Sequence, residues 1–209
     1  MATAESKRDD RRTQIIDAAI ESLKEAGYAG TSIREIARRG GFNSALISYY
    51  FGGLHGLLLA ALDHSSETRM ARYTKALDEA QGLEEVVGVA QAIYREDVAG
   101  GHITIFTEMV AASLEHRELA PELIARSEPW IDFVESAIRK VGGDTPLFQL
   151  MRPRELAYAV ICFYLGVNVM THLDDDNARV EALFEMAQRF TPLLAPMFDG
   201  AMATPDPRD

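Results

Sequence analysis

Residues 31–51, TSIREIARRGGFNSALISYYF, decide how this chain is read. Ser32 stands three positions before Glu35, just ahead of an apolar run, which is the capping-box signature of a helix start. Ile33, Ile36 and Ala37 then fall on one face at helical spacing. Gly40 and Gly41 supply a residue that accepts positive φ, so the chain can turn sharply. Asn43 can cap a second helix. Phe42, Leu46 and Ile47 give that helix an apolar inner face, while Ser44, Ala45, Ser48 and Tyr49 point outward. Helix, glycine turn and helix make a helix-turn-helix, a motif whose second helix lies in the major groove of DNA. Ser and Ala at the exposed front are small enough for a helix backbone to approach a groove closely.

Working outward, the flanking segments are RRTQIIDAAIESLKEAGY before the motif and GGLHGLLLAAL after it. A basic first helix leads to a Gly-aromatic turn at Gly27-Tyr28, the second helix of the motif closes on Tyr50-Phe51, and a Leu-rich fourth helix follows at once. From Arg11 to about Asp63 this order resembles the N-terminal domain of the TetR family of transcriptional regulators. The resemblance covers roughly a quarter of the chain. It implies an all-α protein in which a three-helix DNA-binding head (11–57), behind a flexible arm (1–10), joins a larger helical ligand-binding and dimerisation domain (58–198), followed by a disordered tail (199–209).

The resemblance also assigns roles within the head. Asn43, Ser44 and Ala45 begin the recognition helix and lie closest to bases or phosphates, with Ser48 on the same outer face. Tyr49 and Tyr50 are placed to touch backbone phosphates; Tyr49 packing against the head is the alternative. Thr31 and Ser32 sit at a helix N-terminus, where they serve as plain caps, as phosphate ligands, or both. The family often carries a phosphate-holding Lys where this chain has Leu54, and His55 is the neighbouring group that could partly replace it. Arg11 and Arg12 can reach the adjacent backbone. Arg38 and Arg39 read as solvated charge.

Composition alone would point elsewhere. The chain of 209 residues has a formal charge of −11, unlike a typical DNA binder. The distribution matters more than the total. Residues 1–55 hold eight Lys/Arg against seven Asp/Glu, and residues 56–209 hold 13 against 25. A near-neutral head with local basic spots on an acidic body would favour contact with DNA through the head alone. One cysteine, Cys162, excludes an internal disulfide framework and fits a reducing cytoplasm. Set in the most apolar helix, it reads as an inert small hydrophobe rather than a nucleophile. The first ten residues are polar and show no signal peptide. The longest apolar run, LAYAVICFYLGVNVMTHL at 156–173, is broken by Asn168 and His172 and followed by Asp174–Asp176, so a helix buried on several sides explains it better than a membrane span.

Beyond the head, glycines and prolines divide the chain into helices at about 54–75, 83–99, 102–115, 121–141, 156–173 and 178–196. In the family the last two helices of two subunits form a four-helix bundle. Here Val180, Leu183, Phe184, Ala187, Phe190 and Leu194 recur at helical spacing beside the apolar 156–173 helix, so a homodimer is expected, reading a palindromic operator with half-sites one duplex turn apart. Completion of a monomer core is the alternative.

Middle helices carry Tyr94, Thr104, Thr107, Glu108, Met109, Trp130, Phe133, Tyr164, Asn168 and His172 on apolar faces. They could line a small-molecule pocket or simply belong to the core. Glu108 is the informative member, because Glu is seldom buried without a partner; the solvent face or a pairing with Arg95 or Arg117 would also accommodate it. There is no Gly-rich phosphate loop, paired Cys or His-x-x-x-His, so no enzyme, cofactor or metal is expected, and the acidic turn beside His172 reads as a solvated cap. The expectation is a ligand-responsive, cytoplasmic transcriptional regulator, in the usual repressor sense of the family, released from DNA by a small-molecule effector. The alternative is a helical small-molecule-binding protein whose head serves protein contacts.

Overall fold

The computed structural model describes residues 4–100, 102–143, 145, 147–173 and 178–199. These residues form helices α1 (Ala4–Gly30), α2 (Ile33–Gly40), α3 (Ala45–Phe51), α4 (Leu54–Glu79), α5 (Leu83–Gly100), α6 (His102–Ala112), α7 (Leu119–Gly142), α8 (Leu147–Leu150), α9 (Pro153–Leu173) and α10 (Ala178–Asp199), with no strand among them. The all-α expectation holds. The polar segment read as an arm is helical from Ala4, because its interleaved charges (Lys7 and Asp10 among them) suit an exposed helix as well as a coil. The acidic turn 174–177 and the tail from 200 onward lie outside the described residues.

The chain packs as two compact units, Met1–Arg69 with Gly101–Arg126, and Met70–Gly100 with Ser127–Asp209. The sequence reading gave residue 58 onward to the body. Instead the first stretch of α4, all of α6 and the start of α7 pack with the head.

The first unit is built on an apolar core. Ile15, Ile16, Ala19 and Leu23 form the inner stripe of α1 at helical spacing, and they meet Ile36, Ile47, Leu57, Leu58, Ala61 and Leu62. From α6, Ile105, Met109 and Ala112 present a face at four- and three-residue intervals to the same core. Burying a Leu or Ile side chain contributes about 1.5–3 kcal/mol, so this apolar face explains why α6 belongs with the head. At Gly27 the backbone of α1 kinks with φ +63°. Gly56 is required by space rather than by φ: a Cβ there would lie 2.0 Å from the Phe51 carbonyl oxygen, so α4 can start against the end of α3 only without a side chain.

The second unit is held differently. Tyr94 of α5 is buried with Val167 and Val180, and its ring lies 5.2 Å from that of Phe184. Polar groups are buried alongside. Tyr94 shares a hydroxyl hydrogen bond with Thr171 at 3.0 Å, the Tyr164 hydroxyl donates to Asp97, and Asn168 Nδ2 donates to the Tyr164 carbonyl at 2.9 Å. Arg95 donates to both oxygens of Glu181 at 2.9 and 2.8 Å, and Gln188 donates to Gln91 at 2.9 Å. Satisfied pairs of this kind specify how α5, α9 and α10 lie together. Around them α9 leaves Tyr158, Phe163, Val169 and Met170 exposed, and α10 leaves Leu183, Met186, Phe190 and Leu193 exposed.

Candidate nucleic-acid interface

The turn that sets α3 on α2 is made by local bonds. Ser32, extended at φ −142° and ψ 157°, accepts from the Glu35 N–H at 3.2 Å, so the cap read from the sequence is present. Gly41 takes the left-handed conformation at φ +67°, and its N–H and that of Phe42 both bond to the Ala37 carbonyl. Asn43 Oδ1 accepts from the Ala45 N–H at 2.8 Å and starts α3. Ile47 is fully buried beneath, while Phe42 and Leu46 are partly buried against the core. Gly52, again left-handed at φ +74°, ends the helix with its N–H on the Ser48 carbonyl. Gln14 of α1 donates to the Gly40 carbonyl at 2.9 Å and pins the turn from the other side.

The outer face of this unit presents Asn43, Ala45, Ser48 and Tyr49 to solvent, with Ser44 half-buried. Tyr49 is 73% exposed, so it does not pack into the head. Tyr50 is half-buried, edge-on to Tyr49 at 4.9 Å between centroids. Two cations of α1 reach over this corner, Arg8 at 6.0 Å from the Tyr50 ring and Arg12 at 5.4 Å from the Phe51 ring. Arg8 had no role in the sequence reading, because its neighbours on α3 are some 40 positions away.

Charge on α2 is divided. Arg38 donates to both oxygens of Glu35 at 2.9 and 2.5 Å, and Arg39 donates to Glu25 at 2.6 Å. The hydrogen bond from each Arg holds its carboxylate partner below the usual range. Arg34 makes no ion pair among the described residues; it is exposed and lines a cleft of about 590 Å³ with Ala37, Arg38, Gly41, Phe42, Asn43 and Ser44.

Two residues expected at the DNA face lie elsewhere. Thr31 is 6% exposed; its hydroxyl donates to the Gly27 carbonyl at 2.7 Å and lies 3.3 Å from the Ser22 hydroxyl. A hydroxyl so engaged closes the α1 kink. His55 turns into the unit, with Nε2 2.9 Å from the Tyr28 hydroxyl and its ring against His116.

The expected pocket residues are shared out between the two units. Thr104, Thr107, Glu108 and Met109 belong to the first unit, and Tyr94, Trp130, Phe133, Tyr164 and Asn168 to the second. Met109 is fully buried in the head core, so its apolar spacing marked core. Glu108 accepts from the Tyr28 N–H at 2.7 Å; it caps the broken backbone at the α1 kink, and neither Arg95 nor Arg117 is its partner in this bond. Thr107 is satisfied by carbonyls of its own helix, those of Ile103 and Thr104, both at 3.1 Å. In the second unit Tyr94 and Asn168 are buried, while Trp130, Phe133 and Tyr164 are half-buried; Trp130 packs between Tyr73 and Phe133 at 6.3 Å from each. Cys162, read as an inert small hydrophobe, is exposed on α9.

Comparison with known proteins agrees with this geometry. Residues 15–61 match the profile of bacterial regulatory proteins, tetR family. The HTH-type transcriptional regulator BetI of Burkholderia thailandensis is 42% identical over 57 residues, 27% of this chain and 29% of that protein. The aligned stretch therefore spans less than a third of the length of the curated relatives it matches. Over the whole fold, the fatty acid degradation regulator FadR from Bacillus halodurans superposes with a TM-score of 0.72 at 17% identity, covering 87% of this chain and 94% of that one. The multidrug binding protein EbrR, solved with imidazole, does so with a TM-score of 0.61 at 25% identity, covering 95% and 98%. A TetR-family member from Streptomyces coelicolor gives 0.63 at 23% identity over 88% and 99%. Over residues 15–61 the head of this chain thus matches the helix-turn-helix domain of bacterial regulatory proteins of the tetR family, and the chain as a whole has the fold of tetR-family structures.

Proposed function

We propose that this chain is a ligand-responsive transcriptional regulator that binds a two-fold symmetric operator as a homodimer and is released by a small-molecule effector. The observation that carries the reading is the outer face of α3, where small and polar side chains stand in solvent on a helix braced from below by Ile47. A helix so presented fits the major groove. Asn43, Ser44, Ala45 and Ser48 are the residues for base edges or nearby phosphates, with Tyr49, Tyr50 and Ser32 on the flanking backbone. Arg34 supplies the cation that Arg38 and Arg39, held by carboxylates, do not.

Dimerisation is proposed through α9 and α10. Their exposed apolar side chains include a stripe at 183, 186, 190 and 193, spaced for a helix-on-helix seam. Two heads are needed to engage half-sites one turn of duplex apart. The effector is proposed to act on the second unit, where Trp130, Phe133 and Tyr164 are half-buried near fixed polar groups, and α4 is the continuous helix joining that unit to the head. An effector that favours the state with the wrong head spacing shifts the population off DNA. No single described helix is long and apolar enough to cross a membrane, and we place the protein in the cytoplasm with its DNA.

Selection from a random double-stranded DNA library tests the reading. Recovery of a palindromic motif is the expected result. On that motif Arg34→Ala should weaken binding and lower the salt slope by about one phosphate contact. Absence of any enriched motif from folded protein at low salt would refute it.

A further inference from the structure

Three side chains from two distant parts of the sequence converge within the first unit. His55 is the second residue of α4, while His116 and Glu118 lie in the turn between α6 and α7. Glu118 Oε1 stands 3.7 Å from His55 Nδ1 and 3.6 Å from His116 Nδ1. One ligand atom from each of the three residues fits within 4.8 Å of the others, and the two imidazoles meet edge-on at 4.6 Å between centroids.

Those separations are informative. At 3.6–3.7 Å neither His–Glu contact is a hydrogen bond, which would close to roughly 2.7–3.2 Å. They match instead the spacing of co-ligands around a small cation. Zinc–nitrogen and zinc–oxygen bonds of about 2.0–2.2 Å in a tetrahedron put neighbouring ligand atoms roughly 3.3–3.5 Å apart. The surroundings fit as well. Tyr28 Oη, 2.9 Å from His55 Nε2, occupies the far nitrogen of that ring and leaves Nδ1 to face Glu118. This is the outer partner that orients a metal-binding imidazole. The turn is fixed by the His116 N–H on the Ala112 carbonyl and the Leu119 N–H on the His116 carbonyl, both at 2.9 Å. His side chains 33% and 40% exposed, with Glu118 at 66%, leave the group reachable from solvent.

We propose that His55, His116 and Glu118 bind a borderline divalent transition metal of the Zn²⁺ class, with water completing the shell. Two nitrogens and one carboxylate suit Zn²⁺, Co²⁺ or Ni²⁺ better than the all-oxygen preference of Mg²⁺ or Ca²⁺. A bound ion ties the first turn of α4 to the turn between α6 and α7, both within the first unit. Because it binds the folded arrangement, it also stabilises that unit.

The test uses the untagged full-length chain, stripped with a chelator and titrated with Zn²⁺ by calorimetry and with Co²⁺ by visible absorption. One ion per chain is expected, with the intense Co²⁺ spectrum of a four-coordinate site and a rise in melting temperature. H116A and E118Q, both in a solvent-reachable turn, should each weaken Zn²⁺ binding tenfold or more, and Y28F should weaken it as loss of an outer partner does, about tenfold. H64A, outside the cluster, should leave binding unchanged. Circular dichroism shows that each variant is folded. Stripped wild-type protein that takes up no stoichiometric Zn²⁺ overturns the proposal. So does uptake that survives H116A and E118Q intact, or that H64A removes.

Discussion

In the first unit, Ile15, Leu23, Ile36, Ile47 and Leu58 are all fully withdrawn from water, while in the second Phe163 is 63%, Phe190 51% and Leu193 69% exposed. The two units therefore solve burial differently. The head turns the apolar stripes of α1 to α4 onto one another and carries small and polar groups on its α3 face, with Leu114 and Ile124 among its exposed apolar side chains away from that face. The second unit fixes α5 against α9 with part-buried polar pairs and against α10 with the exposed Arg95–Glu181 pair, and leaves apolar side chains facing out. A contiguous exposed apolar face is unusual in a monomer and marks an interaction surface. On the proposed reading, a second copy of the chain covers the exposed face of α9 and α10.

Breaking that contrast should have its largest effect at the exposed face. F163D together with F190D places two charges where a partner's apolar side chains would lie. The dimer should dissociate, with a loss of roughly 2–4 kcal/mol of association free energy, read by sedimentation equilibrium, while the melting of the head stays as in the wild type. A wild-type chain that sediments as a monomer at every concentration would show that the face serves something other than self-association.

Two glycines sharpen the comparison next. A Cβ at Gly56 meets the Phe51 carbonyl at 2.0 Å, whereas one at Gly166 of α9 meets nothing within 4 Å. G56A must therefore displace backbone in the head, at about 1–3 kcal/mol, and hydrogen exchange should localise the loss to α3 and the start of α4. G166A gains helix propensity of up to about 1 kcal/mol and should leave the folded second unit intact. Equal destabilisation by both would mean that the tightness of the α3–α4 corner is not what Gly56 serves.

What could be read from the sequence divides along similar lines. The Ser32 cap, the Gly41 turn, the Asn43 start and the stripes of α1 and α2 all depend on residues within one or two helical turns, and spacing reveals such contacts. Glu108 and His55 could not be placed that way. The partner of Glu108 lies 80 positions away, and His55 meets Glu118 63 positions on. Polarity on an apolar face signalled that these groups needed partners. It could not distinguish a ligand from the N–H of a kinked helix. That the apolar 156–173 run is buried on one side only is not legible, because an exposed apolar side chain looks identical in sequence to one in a core.

Glu108 gives a smaller, separable effect. E108A leaves the Tyr28 N–H at the α1 kink without its carboxylate, a loss of about 1–3 kcal/mol for a bond to a charged acceptor. E108Q keeps an acceptor oxygen and should recover much of it. Chemical denaturation of both variants distinguishes this from a ligand role: a binding residue would alter effector response with little change in stability, whereas a capping residue alters stability first.

The smallest effect concerns acid. Glu25 and Glu35 in the first unit are held below the ordinary 4.5 by hydrogen bonds from Arg39 and Arg38. Glu135 and Glu181 in the second are held down by Arg139 and Arg95. A carboxylate whose folded pKa lies below its unfolded value contributes stability that is fully present above that unfolded value. The contribution is lost as pH falls through the folded pKa. All four pairs sit at or near the surface, where water and salt screen them. The melting temperature should therefore hold steady above about pH 5 and decline gently below it in both units, with the decline flattened by added salt. A loss confined to the second unit would show that Arg95–Glu181, with Gln91 also donating to Glu181 at 3.1 Å, acts as part of the buried polar seam rather than as a surface pair. The contrast between an apolar head and a polar-pinned second unit would then extend to its pH response.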